Sequence, residues 1–379
     1  MALPCFRQIA RMFPNAQRCL LTNIPVVEKA PSAKDILDGS GLVHKYLPYP
    51  VQLRSVAGLF RLRSQIREFS PQVAIYLAAP RGALEVKRDA LFLRACGVGQ
   101  LIGVPDSPDL QTNRWLEDRR VIEPEAERLA RCLHELGPID LKDPRNWDLG
   151  LTTEEHLKAR DVVTPLGEAP FLAVSVGTKM QSKDWGLENW SALLERIGAK
   201  FPQYGLAMVG APSEYELSER AAEHWGRGFV NLCGKLTPRE TAAALAKATL
   251  FLGHDSGPMH LAAAVQTPCV AVFAAIRRPA MWFPYGAQHR VIYHDVPCSN
   301  CSLDTCIENR KQCITSVTVD EMMQATVEQL ARVVSRGGGT HTGESTSAAL
   351  STQGERYREG SNSQLVRLGE SSLPTKIAH

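Results

Sequence analysis

The chain has 379 residues, of which 44% are hydrophobic and 22% charged, with Lys+Arg 43 against Asp+Glu 40. This composition is typical of a globular protein and excludes collagen-like, coiled-coil and wholly disordered chains. The net charge of +3 gives no indication of nucleic-acid binding, and no apolar run reaches the roughly 18 residues that cross a bilayer. The first residues, MALPCFRQIARMF, lack the apolar segment of a secretory signal, so we expect a cytoplasmic protein.

The first part of the chain alternates helical and strand-like segments. We predict helices at 6–13, 55–69, 84–96 and 123–136, and strands at 18–22, 44–47, 73–78 and 101–104. This alternation is typical of a parallel α/β sheet. Residues 137–170 are richer in Pro, Asp, Gly and Thr, which predicts a linker, and we place a first domain at 1–150.

A second α/β domain is predicted at 151–335. Its strands are expected at 171–176, 205–209, 229–232, 249–253 and 269–273, and its helices at 187–200, 214–224, from 237, at 259–265 and at 319–334. The final segment, 336–379, is dominated by Gly, Ser, Thr and charged residues, so we predict a disordered tail. Two α/β domains with a returning C-terminal helix predict a two-lobed enzyme with a cleft between the lobes.

The segment LGHDSGPMH (252–260) runs from a strand through a tight turn into a helix. Ligands bind at the carboxyl ends of parallel strands, and the free amides of a helix N-terminus attract a phosphate. Asp255 could accept hydrogen bonds from sugar hydroxyls, Ser256 could act as the N-cap, and His260 lies one turn into the helix. The alternative is an ordinary capped helix after a strand.

Two further strand-to-helix turns carry polar groups. In SVGTKMQSKDW (175–185), Thr178, Lys179 and Lys183 are donors suited to phosphate, although a solvated basic loop is the alternative. In VGAPSE (209–214), Glu214 could pair with ribose hydroxyls or simply complement the dipole of the following helix. Two phosphate-compatible turns in one domain favour a nucleotide diphosphate as the ligand.

Four cysteines are clustered, at Cys298, Cys301, Cys306 and Cys313. They could close a structural zinc site, although the spacing is less regular than that of a paired zinc ribbon. A redox-labile surface loop and simply packed thiols remain as alternatives.

Taken together, these segments resemble glycosyltransferase family 9, the bacterial heptosyltransferases, from residue 1 to about residue 334. The most specific part is DSGPMHLAAA (255–264) with the PCVAVF strand after it. The segment SKDWGLENW (182–190) resembles the family's Lys-x-Trp segment, and VGAPSE its Gly-x-x-x-Glu segment. The cysteine cluster also resembles one found in many members.

The resemblance implies an α/β fold of the GT-B type, with two Rossmann-like lobes, and an inverting glycosyltransferase. Such an enzyme moves a heptose or a related sugar from an ADP-sugar to a lipopolysaccharide-core or similar glycan acceptor. It implies Lys183 and Asp255 as catalytic residues, with Lys183 and Thr178 at the diphosphate, Glu214 at the nucleoside and Asp255 at the donor sugar. The remaining residues expected to bind the donor are Lys179, Ser256, Gly257, Met259 and His260. The helix N-terminus would stabilise the departing ADP, so no metal cofactor is expected.

A lipid-linked acceptor would imply contact with the inner face of the membrane. Arg54, Arg61, Arg63 and Arg67 could meet anionic headgroups or an acidic sugar there, although a solvated helix face also explains them.

Family members usually begin with a strand and a Gly-Asp turn ahead of a segment like MALPCFRQI, and that Asp is taken as the base that activates the acceptor. This sequence starts at that segment. Either the start codon was assigned too late, or this form lacks the strand and the base; for the chain as given we expect low stability and impaired catalysis. The alternative function is a catalytically degenerate nucleotide-sugar-binding protein, and a third is a redox or zinc regulator built on the cysteines.

Overall fold

The computed structural model describes residues 1–23, 31–51, 53, 55–226 and 228–337. The predicted tail beyond 337 and the position of Arg54 lie outside these residues. The elements of the first part are α1 (Leu3–Met12), β1 (Cys19–Asn23), α2 (Ala33–Leu37), β2 (Lys45–Tyr49), α3 (Val56–Phe69), β3 (Val73–Ile75), α4 (Ala83–Ala95), β4 (Gln100–Ile102), α5 (Pro108–Gln111), β5 (Trp115–Leu116), β6 (Val121–Ile122) and α6 (Glu125–Cys132). Strand β1 pairs with β2 and β3 with β4, both in parallel, whereas β5 and β6 form an antiparallel pair.

The segment 137–170 is more ordered than a linker. It contains helix α7 (Thr153–Val163), which the composition did not predict. The side chain of Thr152 accepts the backbone N–H of Glu155, whose carboxylate accepts the N–H of Thr152 in return. This capping box satisfies two donors that a helix start otherwise leaves free, so the helix forms despite its polar composition.

A six-stranded parallel sheet organises the second part, in the order β12-β11-β10-β7-β8-β9. Its strands are β7 (Phe171–Ser175), β8 (Gly205–Met208), β9 (Phe229–Asn231), β10 (Leu250–His254), β11 (Cys269–Phe273) and β12 (Arg290–Tyr293). The helices are α8 (Leu187–Lys200), α9 (Tyr215–Ala222), α10 (Pro238–Leu245), α11 (Gly257–Ala264), α12 (Gln312–Thr315) and α13 (Val319–Gly337). The predicted α/β architecture is confirmed, with the edge strand β12 as an addition that the apolar pattern did not indicate.

Every residue of β7, β8, β10 and β11 is buried, as expected of strands covered by helices on both faces. Trp185 and Trp190 are the largest of the fully buried side chains. Burying one large apolar side chain contributes about 1.5–3 kcal/mol, so this sheet and its helices hold most of the stability of the second part.

Arg239 of α10 joins the two parts of the chain. It donates to both carboxylate oxygens of Glu155, at 2.6 and 2.9 Å. It also donates to the carbonyl oxygens of Ile36 in α2 (3.0 Å), Leu149 (3.1 Å) and Gly150 (2.8 Å). All five N–H groups of the guanidinium are therefore used, and they tie α10 to α2 and to the segment that connects the two parts.

A second junction lies at β6 and α6. The backbone N–H groups of Ile122 and Glu125 donate to the carbonyls of Pro279 and Met281, and Trp147 stacks on Tyr285. Over the described ranges, no helix combines the length and the apolar character that a membrane span needs.

Candidate functional site

The three turns singled out in the sequence meet at one edge of the large sheet. Strands β10, β7 and β8 are neighbours in that order and run in parallel. The segments that follow them, 255–260, 176–186 and 209–214, therefore lie side by side at the carboxyl end of the sheet. This is the position at which α/β proteins bind nucleotides.

Lys183 and Asp255 form the centre of this site. Lys183 Nζ lies 2.6 Å from Asp255 Oδ2, although the residues are 72 positions apart in the chain. Both side chains are largely buried, with 17% and 12% exposed. Burial alone would raise the pKa of the Asp255 carboxyl, but His260 and Lys183 outweigh it and bring the pKa below the ordinary value. Asp255 is therefore an anion that can accept hydrogen bonds from hydroxyl groups.

The N-terminus of α11 lies next to Asp255. Ser256 occupies the N-cap position as predicted, but its hydroxyl makes no capping hydrogen bond. That hydroxyl is buried and has no partner among the described residues. Gly257 at the first helical position is open, with nothing within 4 Å of a Cβ added there. The free amides and the free hydroxyl together provide donors for an anion.

His260 and Met259 differ in what they offer to a ligand. His260 is half-buried, and its Nε2 lies 3.7 Å from Asp255 Oδ1. Met259 is 0% exposed and belongs to the hydrophobic core of the second part. Only the backbone of Met259 is therefore placed to contribute to the site.

Glu214 fills the space above two glycines. A Cβ added to Gly177 or to Gly210 would overlap the Glu214 carboxylate, which therefore lies between the ends of β7 and β8. Glu214 Oε2 also accepts the backbone N–H of Ala211 at 2.9 Å. Glycine is needed at both positions because a side chain at either one would occupy the space of the carboxylate.

Thr178 and Lys179 occupy the outer part of the same loop. The Thr178 hydroxyl takes part in a local turn with Met180, at 3.4 Å. Lys179 is exposed, and partial burial lowers its pKa while the charge of Glu214 acts in the opposite direction. Lys179 therefore brings a positive charge to the rim of the site, on the side of Glu214.

Residues 176–186, which carry Lys183 and are called the Lys183 loop below, are held in place by the cysteine-containing segment. The N–H of Ser182 donates to the Asp304 carbonyl at 3.1 Å, and the Cys306 N–H donates to Gln181 Oε1 at 2.9 Å. Lys311 Nζ donates to the carbonyl of Asp184 at 2.8 Å. The loop is therefore anchored to the segment 304–311 along most of its length.

The cysteines themselves are packed thiols. Cys306 and Cys313 are buried, Cys298 and Cys301 are half-buried, and all four are free. Within the ranges that the structure describes, no group of three or more His, Cys, Asp or Glu side chains could hold a metal ion. The zinc site that the spacing left open is therefore not formed by the described residues.

His254, the last residue of β10, was not singled out by the sequence. It is 0% exposed, and its Nε2 accepts hydrogen bonds from the Trp185 N–H at 3.1 Å and from Trp190 Nε1 at 3.2 Å. Its position directly before Asp255 was the one available signal, because a polar residue that ends a buried strand needs buried partners.

Comparisons with known proteins agree with this arrangement. The model of glycosyltransferase family 9 (heptosyltransferase) matches residues 88–312. Lipopolysaccharide heptosyltransferase 3 of Escherichia coli is 32% identical over 118 residues, which is 30% of this chain and 34% of that protein. The chain spans about a third of the length of the curated relatives it matches.

Solved structures share the fold over most of the chain. The glycosyl transferase family 9 protein of Veillonella parvula superposes with a TM-score of 0.64 at 16% identity, covering 87% of this chain and 93% of that one. The E. coli heptosyltransferase WaaC with ADP-2-deoxy-2-fluoro heptose gives 0.55 at 15% identity, covering 86% and 94%. With the family model matching more than half of its residues, this chain belongs to glycosyltransferase family 9.

Proposed function

We propose that the chain is an inverting glycosyltransferase that takes a heptose or a related sugar from an ADP-sugar. The single observation that carries this proposal is the contact between Lys183 and Asp255 beside the open N-terminus of α11. An ammonium, free helix amides and an unpartnered hydroxyl suit a diphosphate, and a buried carboxylate next to them suits a sugar hydroxyl. The names of the curated relatives and the sugar nucleotide in the WaaC structure support the same choice of donor.

In this proposal the adenosine side of the donor lies near Glu214 and the diphosphate lies between Lys183 and α11. The acceptor hydroxyl attacks the anomeric carbon and gives its proton to water, a new glycosidic bond forms on the opposite face, and the bond to the diphosphate oxygen breaks. Charge then accumulates on the departing ADP. The positive end of the α11 dipole and the Lys183 ammonium stabilise that charge in the transition state.

We assign the acceptor to residues 1–150 and the donor to residues 151–335. The proposed acceptor is a lipopolysaccharide core or a similar glycan, which would place the protein at the inner face of the membrane. Val56 and Phe60 of α3 support this placement, with 69% and 64% of each residue exposed. Arg61 and Arg67 are exposed on the same helix, whereas Arg63 donates to the Ala95 carbonyl at 3.0 Å.

Thermal unfolding with ADP, UDP and GDP in parallel tests the donor. A ligand at a hundred times its dissociation constant stabilises the fold by about 2.7 kcal/mol, a shift of several degrees. We expect that shift with ADP and a smaller one with the other two. Equal shifts would contradict the adenine preference. Binding of ADP without any transfer from ADP-heptose would instead favour the degenerate nucleotide-sugar-binding protein.

A matched pair of variants locates the site. Lys183→Gln removes a charge-assisted contact to the diphosphate, so the affinity for ADP should fall about tenfold to a hundredfold. Lys200→Gln makes the same change at the exposed end of α8 and should leave the affinity unchanged. Equal affinity in the two variants would show that the diphosphate does not bind at Lys183.

Anionic vesicles test the membrane contact. We expect the chain to co-sediment with phosphatidylglycerol vesicles and Phe60→Ser to reduce the bound fraction. An unchanged fraction in that variant would contradict the placement of α3 at the lipid surface.

A further inference from the structure

We infer that His254 is a positioning residue, which fixes the Lys183 loop to the end of β10 so that Lys183 meets Asp255. The inference rests on the proposed function, since it concerns the same donor site. His254 itself contacts neither the proposed sugar nor the phosphates. Its role is to hold Lys183 and Asp255, which do.

The contacts of His254 connect both members of the pair. Asp255 follows it directly in the chain. Asp255 lies just beyond the end of β10, where its carboxylate contacts Lys183, while the imidazole of His254 contacts Trp185 and Trp190. Its Nε2 accepts the backbone N–H of Trp185, two residues beyond Lys183. The segment 304–311 holds residues 181, 182 and 184 of the loop, and the His254 ring holds its end at Trp185 beside the carboxylate that Lys183 meets.

The chemistry of the ring is specified by its partners. The Trp185 N–H and the Trp190 indole N–H can only donate, so Nε2 must carry a lone pair and the hydrogen must lie on Nδ1. Trp190 also meets the ring edge to face, with centroids 5.1 Å apart. Nδ1 has no hydrogen-bond partner among the described residues, so the ring is oriented by the two contacts of Nε2, which a leucine of similar size could not reproduce.

The surroundings keep this ring neutral. Burial lowers the pKa of His254 to about 4, although the nearby Asp184, the Gly177 backbone and Asp255 act in the opposite direction and Lys311 adds to the lowering. The ring therefore stays neutral throughout the physiological pH range. Its Nε2 lone pair remains available to the Trp185 and Trp190 donors, so these hydrogen bonds are kept over that range.

The hydrogen bond between Trp185 and His254 also lies directly before the start of α8. Gly186, the N-cap, has φ +101°, which only glycine adopts readily, and it follows Trp185 directly. The chain therefore turns sharply just after the residue that His254 holds. With the hydrogen bond removed, that turn has one constraint fewer and the loop can move away from Asp255.

Two variants separate the hydrogen bond from the volume of the ring. His254→Gln places an amide oxygen near the position of Nε2 and keeps an acceptor for both donors. His254→Leu fills the space without an acceptor. His289→Leu is the matched control, because His289 is also buried, at 4% exposure, and neither ring nitrogen has a hydrogen-bond partner among the described residues.

Amide hydrogen exchange of the peptide covering 178–186 gives a readout that needs no ligand. Loss of one buried hydrogen bond should speed exchange of the Trp185 amide about tenfold in His254→Leu. We expect His254→Gln to restore slow exchange and His289→Leu to match the unaltered protein. The same three variants are then titrated with ADP, and only His254→Leu should bind about tenfold more weakly.

The outcomes distinguish this inference from the proposed function. Equal exchange in the Leu and Gln variants at position 254 would overturn the positioning role, whatever the protein binds. Slow exchange restored by Gln in a protein that does not bind ADP would uphold the anchor and contradict the donor. Weaker ADP binding in both position-254 variants, with amide exchange of residues 178–186 equally slow in both, would also overturn the positioning role.

Discussion

Replacing Gly177 by alanine tests the position of the Glu214 carboxylate. The added Cβ would lie 2.5 Å from Glu214 Oε2 and nearer still to Cδ and Oε1. Ordinary contact distances are about 3.5 Å, so the carboxylate must move by about 1.5 Å to clear its nearest atom. That movement breaks the 2.9 Å hydrogen bond from the Ala211 N–H. Gly177 is not among the described glycines with positive φ, so its backbone accepts alanine without strain.

The free energies can be worked out from these contacts. Losing a hydrogen bond to a charged group costs about 2 kcal/mol, and Gly→Ala returns about 0.5 kcal/mol through the unfolded chain. Gly177→Ala should therefore destabilise the protein by about 1.5 kcal/mol. In the Glu214→Ala background no carboxylate remains to be displaced. There the same substitution should stabilise the protein by about 0.5 kcal/mol.

Denaturant unfolding of the four proteins in this double-mutant cycle measures both effects. We expect the effect of Gly177→Ala on the free energy of unfolding to change sign between the two backgrounds. We also expect Gly177→Ala and Glu214→Ala to bind ADP equally weakly. The same destabilisation in both backgrounds would refute the reasoning, because Glu214 would then not occupy the space above Gly177.

Three further predictions concern Asp255, Arg239 and metal. The pKa of Asp255 is lowered on folding, so its stabilising effect is complete above its ordinary value of 3.8 and is lost as the pH falls through the folded value. The difference in unfolding free energy between the protein and Asp255→Asn should therefore persist at pH 5 and vanish in stronger acid. Arg239→Met leaves the largely buried carboxylate of Glu155 without its cation and with only the Thr152 N–H, and should cost about 3–5 kcal/mol, whereas Arg290→Met, with a more exposed partner, should cost about 1 kcal/mol or less. Removal of metal by a chelator should leave the melting temperature unchanged, because the thiols in 298–313 form no metal group with other described residues, and a lowered value would contradict this.

The sequence predicted the location of the site better than its internal contacts. Apolar runs ended by Gly-containing turns identified β7, β8 and β10, and parallel pairing brings their carboxyl ends together. The distance between Lys183 and Asp255 could not be read in this way, since it depends on how a loop of irregular structure folds back. The assignment of Lys183, Glu214 and Asp255 to the donor stays a prediction.

The misjudged segments have identifiable causes. The composition of 137–170 concealed α7, although the Thr152–Glu155 pair had the spacing of a capping box. Ser256 has the side chain of a typical N-cap, yet its hydroxyl is left free. His254 was hidden because its importance lies in tertiary partners contributed by α8 and by the loop before it. Local pattern cannot show contacts of that kind.

The five hydrogen bonds of Arg239 limit how the two parts of the chain can move relative to each other. Sliding α10 along α2 would break the bond to the Ile36 carbonyl, and each such bond to a charged donor contributes about 1.5–3 kcal/mol. A rotation centred on the guanidinium keeps its partners within reach. The second junction, where β6 and α6 contact Pro279 and Met281, restrains the two parts as well, so a relative rotation keeps both sets of contacts only if its axis passes close to both junctions.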